Sequence, residues 1–150
     1  RGQEKSVPLF KINEISYAIN ICYEDVFGNE IAGYDKYKSE PDILVNLSND
    51  AWYGRSIAAD QHLQISQARA IENKKMMIRS TNTGVTAFIG RNGEVLRKLP
   101  QFSSGELNYK VQGYTGNTPY MLFNNFIIYF LCISILLVSF ISRKFYFFKK

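Results

Sequence analysis

The feature that most restricts the possible folds of this chain is an apolar run near its C-terminus. From Tyr120 to Ile141 the sequence reads YMLFNNFIIYFLCISILLVSFI and contains no charged residue. That length is typical of a helix that spans a bilayer, which needs roughly 20 predominantly apolar residues. A buried helix of a globular domain is shorter and has a polar face. The run therefore predicts one transmembrane helix, which we place at residues 119–142.

The residues that follow this run indicate how the helix is oriented. Residues 143–150 interleave aromatic side chains with the basic residues Arg143, Lys144, Lys149 and Lys150. Basic residues that flank one end of a membrane helix place that end in the cytoplasm. We therefore predict a basic cytoplasmic tail at 143–150 and an outward-facing, membrane-anchored domain at 1–118.

Length, charge and the N-terminus limit the remaining possibilities. A chain of 150 residues can build one domain with a sizeable core. Its net charge of +5 is modest, and no basic stripe accompanies a nucleic-acid-binding motif, so we expect no nucleic-acid partner. The chain begins with Arg1 and shows no apolar signal-peptide core, so we interpret it as a fragment of a longer protein.

The hydrophobic patterning predicts an α/β domain. Helices are predicted at 24–38 and 57–74, and on the second helix Ala59, Leu63, Ser66 and Ala70 share one face. Strands are predicted at 7–10, 14–21, 41–47, 76–79, 84–89, 94–99 and 106–111, with a hairpin turn at 91–93. The alternation of strands with helices favours a layered α/β fold over a β-sandwich.

The strand that ends at Cys22 carries the strongest chemical signal. A cysteine at a strand end, followed by a tight turn, can expose a reactive thiolate and direct backbone N–H groups at a carbonyl. The alternative is a small buried hydrophobic residue in a core strand. Cys132 lies within the apolar run, far from Cys22, so we predict no disulfide and a free Cys22 thiol.

Several motifs in a fixed order suggest a family. They are NICYE from Asn20, NLSNDAWYG from Asn46, QHL from Gln61, ARAIE from Ala68, RSTNTG from Arg79 and TPY from Thr118. Together with the membrane helix they resemble the apolipoprotein N-acyltransferases, a membrane-embedded bacterial branch of the nitrilase (carbon–nitrogen hydrolase) superfamily. The resemblance covers roughly residues 15 to 142.

This resemblance implies the C-terminal part of a nitrilase-like four-layer αββα sandwich followed by one transmembrane helix. It also implies a Glu–Lys–Cys triad with Cys22 as nucleophile, and an inner-membrane protein with this domain on the periplasmic side. The family's base glutamate and lysine precede the nucleophile strand, and Lys5, Lys11 and Glu14 lack their sequence context. We therefore expect the fragment alone to be inactive.

The implied reaction is ping-pong acyl transfer. Cys22 would take an acyl chain from a phospholipid as a thioester and pass it to the α-amine of a diacylglyceryl-cysteine at a lipoprotein N-terminus. The N–H of Tyr23 is a candidate oxyanion donor. Glu24 matches a glutamate near the family's pocket, and its alternative role is a first-turn helix carboxylate.

Several residues after the second buried strand have more than one possible role. Trp52 and Tyr53 either line a substrate path or pack beneath a loop. Asn49 is a candidate substrate contact, although local hydrogen bonds by it and Asp50 are the favoured role. His62 is interpreted as a structural histidine, at the helix surface or satisfied in the core.

Supporting roles are predicted for the remaining polar residues, and no cofactor or metal is expected. Arg79 and Asn82 are interpreted as structural support for a pocket-edge turn. Arg69 and Glu72 are three residues apart and are predicted to pair on the helix. One histidine and one accessible cysteine cannot assemble a metal site.

Two other functions stay open. An amidase of the same superfamily would use water as acceptor, and a non-catalytic membrane-tethered module would keep the fold as a binding surface.

Overall fold

The computed structural model describes residues 9–33 and 40–148. In this part of the chain six strands form one mixed sheet in the order β1-β2-β3-β4-β5-β6. They are β1 (Leu9–Ile12), β2 (Ile15–Ile21), β3 (Ile43–Ser48), β4 (Met76–Thr81), β5 (Ala87–Ile89) and β6 (Val95–Lys98). The central strands β2, β3 and β4 are parallel, whereas β1, β5 and β6 join by antiparallel pairing.

The helices follow the predicted alternation. They are α1 (Gly28–Ala32), α2 (Ala58–Asn73), α3 (Pro119–Phe123) and α4 (Phe126–Phe148), with 3₁₀ helices at Cys22–Val26 and Ala51–Tyr53. The helix predicted at 24–38 is divided between the first 3₁₀ helix and α1, and its residues 34–39 lie outside the described part. Likewise, residues 7 and 8 of the first predicted strand lie outside it.

One face of the sheet packs against α2. In register across the sheet, Ala18 pairs with Leu44, Leu44 with Met77, and Met77 with Ile89, and all four are buried. The predicted inner face of α2 is confirmed, because Ala59, Leu63, Ser66 and Ala70 are all buried. This apolar layer between helix and sheet is the hydrophobic core of the domain.

The segment predicted as a strand at 106–111 is not a strand. It crosses the face of the sheet opposite α2, where the ring of Tyr109 lies 5.6 Å from that of Phe88. A little further on, the N–H of Gln112 donates to the Met76 sulfur at 3.3 Å. The prediction was wrong because apolar and polar residues can alternate in the same way in a segment that pairs with a strand and in one that lies across a sheet.

A buried lysine fixes the end of this segment. Lys75 is 1% exposed, and its ammonium group donates to Glu40 Oε1 at 2.8 Å and to the carbonyl of Tyr114 at 2.7 Å. Thr118 then accepts a hydrogen bond from Met121 at the start of α3 and donates to the carbonyl of Glu72 at the end of α2. The entry to the apolar C-terminal region is thereby attached to the domain.

The apolar run, predicted as one helix at 119–142, forms two helices. Asn124, with φ of +49°, separates α3 from α4, and Met121 of α3 is buried in the domain. Residues 126–143 of α4 have a mean hydropathy of 2.3, and none of that stretch is buried. By length and composition, α4 is the one helix in the described residues that can cross a membrane.

The core layer yields a stability prediction. Met77 is fully buried between Leu44 and Ile89, so Met77→Ala should lower the free energy of unfolding by about 2–5 kcal/mol through lost burial and an unfilled cavity. Thermal unfolding of the full-length protein in detergent would measure this loss. Lys98→Ala, at an exposed position of β6, is the control. Equal melting temperatures for the two variants would contradict the assigned core.

Candidate active site

The carboxyl ends of the three parallel strands lie side by side. Cys22 follows β2, the loop 49–54 follows β3, and the turn 82–86 follows β4. In open α/β sheets this is the edge where ligand sites form. The predicted nucleophile and the predicted substrate-binding loop therefore lie on adjacent strands at one edge.

Cys22 occupies an unusual backbone conformation. Its φ is +53°, a left-handed value that costs a non-glycine residue energy and that is concentrated at functional turns. It begins the 3₁₀ helix Cys22–Val26, and its carbonyl accepts a hydrogen bond from Asn46 Nδ2 at 2.9 Å. The side chain is partly exposed, and no disulfide involves it, as predicted. The turn thus presents the thiol at the strand edge.

A row of polar side chains supports this turn from the α2 side of the sheet. Asn20 pairs in register with Asn46, and Asn46 with Arg79, so that all three lie on the same face. Asn46 Nδ2 donates to Asn20 Oδ1 at 2.5 Å, and Arg79 Nη1 donates to Asn46 Oδ1 at 2.7 Å. All three residues are buried, so the strands meet α2 here through polar contacts.

His62 of α2 bridges two carboxylates above this row. Its Nε2 lies 3.0 Å from Asp25 Oδ1, and its Nδ1 lies 3.0 Å from Asp50 Oδ1. All three side chains are at most 1% exposed. A doubly protonated imidazole donates from both nitrogens, which is what two flanking carboxylates require.

Arg79 completes the cluster. Its Nη2 lies 2.8 Å from Asp50 Oδ2, and its Nη1 lies 3.5 Å from Asp25 Oδ2. Ser66 donates to Asp25 Oδ2 at 2.6 Å and accepts from Arg79 Nη1 at 2.9 Å. Two carboxylates are thus balanced by one guanidinium and one imidazolium, which offsets the cost of burying each charge.

The pKa values in this cluster follow from these contacts. Burial alone would lower the pKa of His62, but the hydrogen bonds to Asp25 and Asp50 outweigh it and raise the pKa to about 9. Burial would raise the pKa of Asp50, but hydrogen bonds from His62 and Ser48 and the charge of Arg79 lower it to about 2. Both groups are therefore charged at neutral pH.

The loops after β3 and β4 are held together directly. Asn82 Oδ1 accepts from the N–H of Asp50 at 3.0 Å, and Asn82 Nδ2 donates to Asn49 Oδ1 at 2.7 Å. Gly84 lies so close to the Asp50 carboxylate that a Cβ at this position would overlap it. The amide oxygen of Asn49 thus has a structural task, in line with the favoured interpretation of this residue.

Two tyrosine rings lie beside His62, and one of them, Tyr23, directly follows Cys22. The rings of Tyr23 and Tyr53 lie 5.5 Å and 6.0 Å from the His62 ring, and both line a groove of about 480 Å³. The pKa of Tyr53 is raised, first by burial and then by its neighbours, which include Tyr23, Asp50 and Cys22. Trp52 is 84% exposed, so it does not pack beneath the loop in the described structure.

Glu24 and Arg69 both contact the segment around Cys22. Glu24 is exposed, and its Oε2 accepts from the N–H of Ile21 at 2.6 Å, which closes the turn around Cys22. The predicted pair is confirmed, with Arg69 Nη2 lying 2.8 Å from Glu72 Oε1. Arg69 also donates to the carbonyls of Asp25 and Val26, in the 3₁₀ helix that begins at Cys22.

Sequence reasoning missed the cluster itself. The sequence patterns predict no polar partner for Asp25 or Ser66 and no link between His62 and Asp50. A usable signal was present, because each of the three parallel strands has an amide or guanidinium side chain within its apolar pattern, at matching register positions: Asn20, Asn46 and Arg79. The structure confirms His62 as a satisfied core histidine.

The His62 pKa predicts a pH-dependent stability. A pKa raised from 6.5 to about 9 stabilises the folded protein fully below about pH 6.5, and that contribution is lost as the pH rises through about 9. The melting temperature of the full-length protein should therefore fall between pH 7 and 10, and the fall should be smaller for His62→Gln. An equal fall in melting temperature for the wild type and His62→Gln would contradict the raised pKa of His62.

Comparison with known proteins agrees with this architecture. The family model for carbon-nitrogen hydrolases matches residues 1–120. An apolipoprotein N-acyltransferase of Nitrosomonas europaea is 51% identical over 122 residues, which are 81% of this chain and 24% of that protein. One of Haemophilus influenzae is 43% identical over 128 residues, 83% of this chain and 24% of that protein. The chain thus spans about a quarter of the length of these curated relatives.

Solved structures resemble the fold. A carbon-nitrogen hydrolase of Helicobacter pylori G27 has a TM-score of 0.55 at 13% identity, covering 67% of this chain and 42% of that one. A Nesterenkonia AN1 amidase of the nitrilase superfamily has a TM-score of 0.53 at 14% identity, covering 65% and 39%. These likenesses show the predicted nitrilase-like α/β fold. With four fifths of its residues matched by the family model, this chain belongs to the carbon-nitrogen hydrolase family.

Proposed function

We propose that this chain is part of an apolipoprotein N-acyltransferase and that Cys22 is its nucleophile. The observation that carries the proposal is the left-handed turn at Cys22, which places a free thiol at the carboxyl edge of the parallel strands. The relatives of 43–51% identity that bear this name support the choice of acyl transfer. The proposal concerns the full-length protein, of which the chain would supply the nucleophile segment.

The proposed reaction has two balanced steps. The Cys22 thiolate attacks an ester carbonyl of a phospholipid, and the lysophospholipid leaves as a thioester forms. The α-amine of a diacylglyceryl-cysteine then attacks that thioester, so an amide forms and the thiol is released. A base glutamate and a lysine from elsewhere in the full-length protein would handle the protons. The N–H of Tyr23, in the first turn of the 3₁₀ helix, where N–H groups lack acceptors within the helix, would bind the oxyanion.

Substrate contacts are proposed for the aromatic loop. Trp52 exposes a large apolar ring on the loop after β3, and Tyr53 lines the same groove as Tyr23, the residue after Cys22. These two side chains would contact the acyl chain or the glycerol of the donor. Glu24 would act near the incoming amine, although its contact with Ile21 also gives it a structural role. Asn49 would contribute its amide nitrogen, since its oxygen holds the loop.

The membrane location is part of the same proposal. The apolar helix α4 would cross the inner membrane, with the domain on the periplasmic side and the basic residues after 142 in the cytoplasm. Phospholipid and lipoprotein substrates would then both reach the site from the membrane.

Capture of the acyl-enzyme tests this function. We expect the full-length protein, incubated with vesicles that contain phospholipid with an isotopically labelled acyl chain, to gain a hydroxylamine-labile acyl mass on the peptide containing Cys22. A diacylglyceryl-cysteine peptide should discharge it as an N-acyl product. Cys22→Ala should abolish the adduct, whereas Cys132→Ala, the matched control in α4, should keep it.

Two results would overturn the proposal. Discharge of the thioester to water together with hydrolysis of simple amides would favour an amidase. A folded full-length protein that forms no adduct and shows no turnover would indicate a binding module.

A further inference from the structure

His62 is well placed to influence the site and yet has no ring nitrogen available for a substrate. Both nitrogens lie 3.0 Å from carboxylate oxygens, and the residue is 1% exposed. A histidine that exchanges protons with a reactant needs one nitrogen within reach of it. The geometry therefore points away from a catalytic role and towards a structural link.

That link joins the two halves of the candidate site. Asp25 lies in the same 3₁₀ helix as Cys22, three residues after it. Asp50 directly precedes the 3₁₀ helix Ala51–Tyr53, which carries Trp52 and Tyr53. One imidazole thus contacts a carboxylate in the Cys22 turn and a carboxylate at the start of the aromatic loop.

We propose, resting on the acyl transfer from Cys22 proposed above, that His62 is a positioning residue that keeps the Cys22 turn aligned with the loop 49–53. It acts through Asp25 and Asp50 and does not touch the substrate. Displacement of a reacting group by about 1 Å can cost roughly 100-fold in rate, so loss of this bridge should reduce acyl transfer without preventing phospholipid binding.

The surroundings of His62 make its charge part of this role. It faces Asp25 on the first 3₁₀ helix, Asp50 on the loop after β3, Arg79 on β4, and the rings of Tyr23 and Tyr53. Loss of one imidazole proton would turn a donor nitrogen into an acceptor facing a carboxylate oxygen, which breaks one of the two bonds. Arg79 would then be the single cation in the cluster, beside two carboxylates.

The test measures the first half-reaction of the full-length protein in detergent micelles. The rate of acyl transfer from labelled phospholipid to Cys22 is followed by mass spectrometry from pH 6 to 10, together with its dependence on phospholipid concentration. The variants are His62→Gln, the double variant His62→Gln with Asp25→Asn, and Lys98→Gln as a control that removes an exposed positive charge.

We expect His62→Gln to lower the maximal acylation rate by roughly 100-fold, with a half-saturating phospholipid concentration within about 2-fold of wild type. The double variant should be acylated at least roughly 10-fold faster than His62→Gln. Its two neutral amides can bond to each other and to Asp50 without an unbalanced charge. The wild-type rate should fall above about pH 9, and the double variant should lack this fall. Lys98→Gln should behave as wild type.

Three results would overturn the positioning role. They are a wild-type rate in His62→Gln, a double variant no faster than the single one, and an alkaline fall that persists in the double variant. If His62→Gln does not fold, the rate of the double variant and the pH profile of the wild type decide whether His62 has the positioning role.

Failure of the proposed function would be recognised separately. It would appear as a wild-type protein that accepts no acyl group. The rate of Cys22 alkylation by iodoacetamide in the same proteins would then test the positioning of the thiol independently of acyl transfer. Equal alkylation rates with and without His62 would reject the role, and a rate changed by 10-fold or more in His62→Gln alone would support it.

Discussion

The charged bridge from Asp25 through His62 to Asp50 is the interaction on which the rest of this site depends. Two buried carboxylates repel each other and lose their hydration, so neither is tolerated without a positive partner. His62 and Arg79 supply that charge from a helix and from a strand, and each contacts both carboxylates. The cluster therefore ties α2, β4 and the segments after β2 and β3 into one arrangement.

This arrangement explains how a strained turn persists at Cys22. The left-handed backbone there is unfavourable, but Asn46 holds its carbonyl, Glu24 closes its first turn, and Arg69 holds two carbonyls that follow. A rigid turn fixes the direction of the thiol, which a nucleophile needs and which a cysteine that only fills space does not. Lys75 holds the carbonyl of Tyr114, in the segment that leads to α3 and α4, and so attaches that segment to the domain that carries the thiol.

The sequence predicted the elements well and the cluster poorly, for physical reasons. Local periodicity identifies a strand such as β3 or the inner face of α2, because burial repeats along one element. The contact between His62 and Asp25 joins residues 37 positions apart and depends on the register of the parallel strands, which no local pattern encodes. The prediction at 106–111 was wrong for a related reason, because alternating apolar and polar residues do not show whether a segment pairs with a strand or packs on the face of a sheet.

The central claim is that His62 is a buried imidazolium joining two carboxylates, and nitrogen-15 NMR of the full-length protein tests it most directly. The His62 signals are identified by their loss in His62→Gln. Both ring nitrogens should show the shifts of protonated nitrogens at pH 7 and keep them until about pH 9. A neutral ring at pH 7, with one unprotonated nitrogen, would contradict the account.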